Sequence, residues 1–100
     1  MPADPEWVRK SRDEMCNARH NELTQADIAS LEQRFTYHKP FGDQPVRYEA
    51  LRAKAKELAA LISGLCPISR EMSLALTKVE EACFWANAAI ARNEKEKPDA

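Results

Sequence analysis

Residues 68–92 read ISREMSLALTKVEEACFWANAAIAR, and their pattern decides the fold. The stretch holds no proline or glycine and is rich in Ala, Leu and Glu, residues that lose little side-chain freedom in a helix. Its apolar residues Met72, Leu76, Val79, Cys83, Ala86 and Ile90 step by 4, 3, 4, 3, 4, a helical seam with a seven-residue repeat. A second apolar line, Ala75, Ala82, Trp85 and Ala89, runs beside it, so the face is wider than one partner helix covers.

Upstream, Tyr48, Leu51, Ala55, Leu58, Ile62 and Leu65 form another seam, stepping by 3, 4, 3, 4, 3. Gly64 marks the end of that helix, and Pro67 blocks simple continuation. Ser69 is a good N-cap for the next helix, with Glu71 in its first turn. Two helices joined by four or five residues fold back on each other, so the prediction is all-α: an antiparallel helical hairpin with matched seams. Alanines 55, 59, 60, 75, 82, 86 and 89 are expected to let the axes approach closely. The hairpin alone leaves apolar surface in water, which predicts a compact homo-oligomer closed by symmetry.

Toward the N-terminus the pattern weakens. Asp4-Pro5 opens an expected short helix over residues 5–18, docking through Trp7. Thr24 caps a second short helix carrying Ile28, Leu31 and Phe35 on one face and ending near Phe35. The segment TYHKPFGDQP that follows holds two prolines and a glycine and reads as an irregular connection. Residues 1–34 are thus an N-terminal extension, 35–92 the hairpin domain and 93–100 a charged tail.

Composition excludes several classes. Fifteen Lys and Arg against sixteen Asp and Glu give a formal charge of -1, without the basic excess a nucleic acid polymer binder needs. The three cysteines form no close pair, no apolar run spans a bilayer, and the charged N-terminus has no signal-peptide core. A soluble cytoplasmic setting with free thiols is expected. Cys16 and His20 share i, i+4 spacing, and His38 could join them, but structural zinc takes closer pairs. No metal site, cofactor or catalytic motif is predicted. Lys78 is placed to pair with Glu81, and Asn87 on an alanine-rich helix needs a partner for its carboxamide.

One constellation points to a ligand. Tyr37, His38 and Lys39 lie in the connection, and Arg47, Arg52, Lys54 and Lys56 follow on the next helix. Arg52 and Lys56 are one turn apart, so both cations can face one anion, and a nearby ring suits a nucleotide.

The stretch FTYHKPFGDQPVRYEALRAKAKELA (residues 35–59), with CPISREMSLALTKVEEACFWANAAIAR (residues 66–92), resembles the helical-hairpin domain of bacteriophage nucleotide sponges. These are the anti-CBASS proteins that sequester cyclic-oligonucleotide messengers, and the hairpin is shared with anti-Thoeris sponges. Anti-Thoeris members also carry a β-rich portion for which this chain has no strand signal, so the anti-CBASS type is the better match. The resemblance implies a non-enzymatic homo-hexamer in the cytoplasm of an infected bacterium, blocking effector activation by sequestration. It implies cyclic dinucleotide pockets between paired protomers, with Tyr37 stacking on a base, Arg52 meeting a phosphate, and His38 and Lys56 alongside. It further implies a separate cyclic trinucleotide pocket where three protomers meet, with Arg92 and Lys54 as the residues expected there. The alternative reading is an oligomeric helical scaffold that binds a host or phage protein through Trp85 or the N-terminal segment. A phosphodiesterase reading lacks metal ligands.

Overall fold

The computed structural model describes residues 4–15 and 22–96, and every regular element in them is an α-helix. The chain divides into two compact units, Met1–Thr36 and Tyr37–Ala100.

In the first unit, α1 (Glu6–Met15) starts on the Pro5 carbonyl, which accepts from the Val8 and Arg9 amides at 3.0 and 3.3 Å. The last turn expected for this helix, through residue 18, lies outside the described residues. Trp7 is not the deepest anchor. Val8 is fully buried, while Trp7 stays 40% exposed and donates from Nε1 to Glu32 Oε1 at 3.2 Å. α2 (Gln25–Phe35) opens with a reciprocal capping box. The Asp27 amide donates to Thr24 Oγ1 at 3.0 Å, and the Thr24 amide donates to Asp27 Oδ2 at 2.9 Å. Of its expected apolar face, Ile28 is buried and Leu31 half-buried, but Phe35 stands in solvent. Gln25 Nε2 donates to Asp4 Oδ1 at 3.0 Å, tying the two helix starts together.

The second unit is the hairpin. α3 (Gln44–Leu65) follows a tight turn in which the Gln44 amide donates to the Phe41 carbonyl at 3.1 Å. Gly42 holds φ +58° there, a left-handed backbone that glycine adopts without steric penalty. An added Cβ would meet nothing within 4 Å, so this glycine is needed for conformation and not for space. At the other end the Cys66 amide donates to the Ile62 carbonyl at 3.0 Å. Residues 66–69 make the reversal, and Ser69 then caps α4 (Arg70–Asn93), its Oγ accepting from the Met72 amide at 3.1 Å. The same hydroxyl donates to the Pro67 carbonyl at 3.0 Å, which fixes the turn to the cap.

α3 and α4 run antiparallel and pack along their length. On α4 the expected seam faces its partner: Met72, Leu76, Val79, Cys83, Ala86 and Ile90 are all half-buried. On α3 the expected single seam splits. Tyr48, Ala55 and Ile62 are half-buried, whereas Leu51, Leu58 and Leu65, each one heptad apart, are 37, 48 and 79% exposed. A helix meets one straight neighbour along one line, so the second line of the repeat is left open. The small-residue contacts divide the same way: Ala55, Ala59, Ala75 and Ala86 are half-buried, and Ala60, Ala82 and Ala89 are exposed.

The cap is where this hairpin is most easily weakened. Ser69→Ala removes the oxygen that holds the Met72 amide and is expected to cost about 1 kcal/mol. A urea titration followed by circular dichroism reads it, with Ser69→Asp expected to recover most of the loss.

Candidate functional site

α2 ends when the Thr36 amide donates to the Glu32 carbonyl at 3.0 Å and the backbone turns extended. The extended run carries Tyr37, 82% exposed, and His38, half-buried, up to the Gly42 turn. A large aromatic group held out in water by a short strap between two helices is available for stacking.

A polar clasp anchors the far end of that strap. Gln44, only 2% exposed, accepts through Oε1 from the Phe41 amide at 3.2 Å and from the Tyr48 hydroxyl at 3.4 Å. Its Nε2 donates to Glu94 Oε1 at 3.1 Å. Arg47 grips the same carboxylate with both terminal nitrogens, the first at 2.7 Å from Oε2, and its Nε reaches Asp43 Oδ1 at 3.2 Å. A bidentate guanidinium–carboxylate pair fixes direction as well as distance. The strap, the start of α3 and the C-cap of α4 are thereby joined at one point.

The charge states follow. Hydrogen bonds from Arg47 and then from Gln44 hold the Glu94 carboxyl well below the usual range, at about 2, against an opposing effect of desolvation. Arg47 is raised in turn, chiefly by its hydrogen bonds to Glu94. A lone carboxylate at a helix C-terminus would be opposed by the helix dipole, and the guanidinium offsets this.

Beyond the clasp, Arg52 and Lys56 lie one turn apart on α3, both exposed, and among the described residues neither meets a carboxylate. Lys54 is roughly 200° around the helix from Arg52 and faces elsewhere. It pairs with Glu57 at 3.2 Å on the surface, a weak exposed bridge. Arg92 is half-buried near the end of α4, with its guanidinium 5.9 Å from the centroid of the Trp85 ring. Glu81, Phe84, Trp85, Ala88 and Arg92 line a cavity of about 420 Å³ on one face of that helix. Trp85 and Arg92 stand out in the sequence, whereas Phe84 and Ala88 carry no separate signal there. Trp85, expected in a core or interface, is 65% exposed in the single chain. Lys78 pairs with Glu81 at 3.3 Å, as expected.

These residues do not share any of the three cavities among the described residues. None of Tyr37, His38, Arg52 and Lys56 lines the cavity beside Arg92, the one beside the clasp or the one along α2. Asn87 also lacks what it needs. Its Oδ1 is buried without a donor, and its Nδ2 reaches only the Cys83 sulfur at 3.9 Å. Leaving such an acceptor unsatisfied costs about 1–3 kcal/mol. The Arg47–Glu94–Gln44 clasp was not foreseen, because its partners lie far apart in sequence.

Among the described residues no group of three or more His, Cys, Asp and Glu is placed to hold a metal ion, and no helix is long and apolar enough to cross a membrane. Cys16 and His20, weighed above as ligands, lie outside the described residues.

Residues 27–91, from the first turn of α2 to the last of α4, match the family described as Acb2/Tad1, hairpin domain. No curated protein and no solved structure matched the chain.

The clasp predicts a pH dependence of known sign. The unfolded chain binds a proton on residue 94 in the ordinary carboxylate range, while the folded chain holds it ionised down to about 2. Stability from the clasp is therefore complete at neutral pH and is lost as pH falls through that window. Glu94→Gln should lower the melting temperature at neutral pH, with the gap from wild type closing between about pH 5 and pH 2. A gap that does not change with pH would rule out the ionic clasp.

Proposed function

The chain belongs to the Acb2/Tad1 hairpin-domain family, that of the anti-CBASS and anti-Thoeris sponges, and on that premise we propose that it sequesters cyclic dinucleotide and cyclic trinucleotide messengers without cleaving them. The family is known for sponging cyclic oligonucleotides by binding and not by catalysis. The proposed setting is the cytoplasm of an infected bacterium, where uptake of a messenger such as cyclic GMP-AMP keeps CBASS effectors inactive.

The observation that carries the proposal is incompleteness. Tyr37, Arg52 and Lys56 are exposed and line none of the three cavities described above, while Leu51, Leu58, Leu65, Phe84 and Trp85 remain 37–79% exposed. Full burial of a leucine is worth about 1.5–3 kcal/mol, so covering the open line in an assembly is favourable by a substantial fraction of that per residue. The proposed assembly is a homo-hexamer. In it, paired protomers present Tyr37 and Arg52 twice to a nearly symmetric cyclic dinucleotide, with His38 and Lys56 alongside. Arg92 and Lys54 are proposed for cyclic trinucleotide phosphates, on a separate surface. The donor that Asn87 Oδ1 lacks is proposed to come from a neighbouring chain.

The energetics are adequate. Each base stack on an aromatic ring is worth about 1–3 kcal/mol, and each charge-assisted hydrogen bond about 1.5–3 kcal/mol. Two of each supply about 5–12 kcal/mol before the cost of ordering, on the scale that micromolar binding requires.

A second reading has its own support. Phe84 and Trp85 are 62 and 65% exposed side by side, the kind of surface a protein partner covers. Pull-down from an infected host decides between them: a stoichiometric protein recovered with no nucleotide favours the scaffold.

Calorimetry with cyclic GMP-AMP tests the sponge directly, followed by boiling and recovery of the ligand. Tight binding and intact ligand are expected; no binding at micromolar concentration, or cleaved ligand, sinks the proposal. Tyr37→Ala removes both stacks and should weaken cyclic dinucleotide binding by roughly thirtyfold or more, with the assembly unchanged on sizing. Dissociation to single chains would instead make Tyr37 a packing residue.

A further inference from the structure

The family match begins at residue 27, so α1, which supplies Trp7, lies ahead of it and calls for a separate account. Between these helices, within the first unit, a groove of about 340 Å³ is lined by Trp7, Leu31, Glu32, Phe35 and Thr36. Two aromatic rings, 40 and 78% exposed, share it with a carboxylate. Glu32 Oε1 accepts from Trp7 Nε1 at 3.2 Å, which holds the carboxylate beside the indole. Among the described residues Oε2 has no donor. The Thr36 hydroxyl adds a further polar group on the wall.

We propose that this groove is a second ligand site, for the guanine base of a guanine nucleotide. The rings offer π-faces on which a flat base stacks. A carboxylate accepts two hydrogen bonds side by side, and guanine presents two adjacent donors, N1–H and the N2 amino group, on its Watson–Crick edge. Adenine places a lone pair at N1, where a carboxylate repels it. Volume is ample for one base with part of its sugar.

Two aromatic rings and a carboxylate also make a cage for a quaternary ammonium ion, which is therefore the competing ligand in the test. The Arg34 guanidinium sits 5.7 Å from the centroid of the Phe35 ring. Choice of a nucleotide as the ligand class rests on the proposed sponge function; the guanine preference rests on Glu32.

Calorimetry of the full chain with guanosine monophosphate, adenosine monophosphate and tetramethylammonium tests the site. Saturable binding of guanosine monophosphate, roughly tenfold or more tighter than adenosine monophosphate, is expected. Glu32→Gln keeps an acceptor for Trp7 and so preserves the helix contact, but it replaces one of the two acceptors with an amide donor. Guanosine monophosphate affinity should then fall by roughly tenfold, with adenosine monophosphate unaffected and the circular dichroism unchanged. Equal binding of the two nucleotides, binding of neither, or binding of tetramethylammonium in their place would overturn the proposal. So would a Glu32→Gln variant that loses its assembly while nucleotide binding persists, because the groove would then be covered by a second copy. Tyr37→Ala is expected to leave guanosine monophosphate binding intact. A chain that takes up guanosine monophosphate but no cyclic nucleotide therefore retains this site and loses the sponge function, and the reverse result overturns this site alone.

Discussion

Two helices meet along one line, and each helix of this hairpin carries an apolar surface wider than that line. On α3 the repeat places Tyr48, Ala55 and Ile62 against α4 and leaves Leu51, Leu58 and Leu65 outside. On α4 no residue is fully buried, and Phe84 and Trp85 stand mostly in water. A hairpin of this size buries little apolar surface on its own. The exposed line is thus a constraint on everything else: it leaves apolar surface for a partner to cover, and in the proposed assembly a second chain completes the pocket that Tyr37, Arg52 and Lys56 line. Binding without chemistry fits the proposed arrangement, since a pocket assembled from repeated copies would need only rings and cations in register.

The clasp at the open end does a different job. Glu94 is the C-cap of α4, yet it is gripped by Arg47 and Gln44 from the first turn of α3. Gln44 also accepts from Phe41, so the strap that carries Tyr37 and His38 is fixed at its far end by the same buried amide. At its near end Thr36 closes α2. Holding the strap at its far end lowers the entropy lost in the proposed stacking of its tyrosine on a base, which is how preorganisation raises affinity. The turn between them depends on Gly42, whose left-handed backbone a larger residue adopts only with strain.

Local chemistry was legible in the sequence and long-range chemistry was not. Ser69 and Thr24 act as the caps their hydroxyls and positions announced, Lys78 meets Glu81, and the reversal falls at Pro67. Each of these depends on neighbours within four residues. The two seams announced a hairpin, but periodicity alone does not say which of two equivalent apolar lines a single partner covers, so the exposure of Leu51, Leu58 and Leu65 came from the structure. The same limit hid the Arg47–Glu94 pair and the Trp7–Glu32 bond, whose partners are brought together only by the fold. Of the candidate ligand residues, spacing put Arg52 and Lys56 on one face and Lys54 on another. In the proposed assembly a second chain gathers them with Tyr37.

Native mass spectrometry of the purified protein with cyclic GMP-AMP tests the central claim most directly, because it reads assembly and ligand together. The expected spectrum shows a closed assembly at six times the 11.3 kDa chain mass, carrying whole numbers of intact cyclic dinucleotide. A single chain that binds the ligand alone, or an assembly that takes up none, would contradict it.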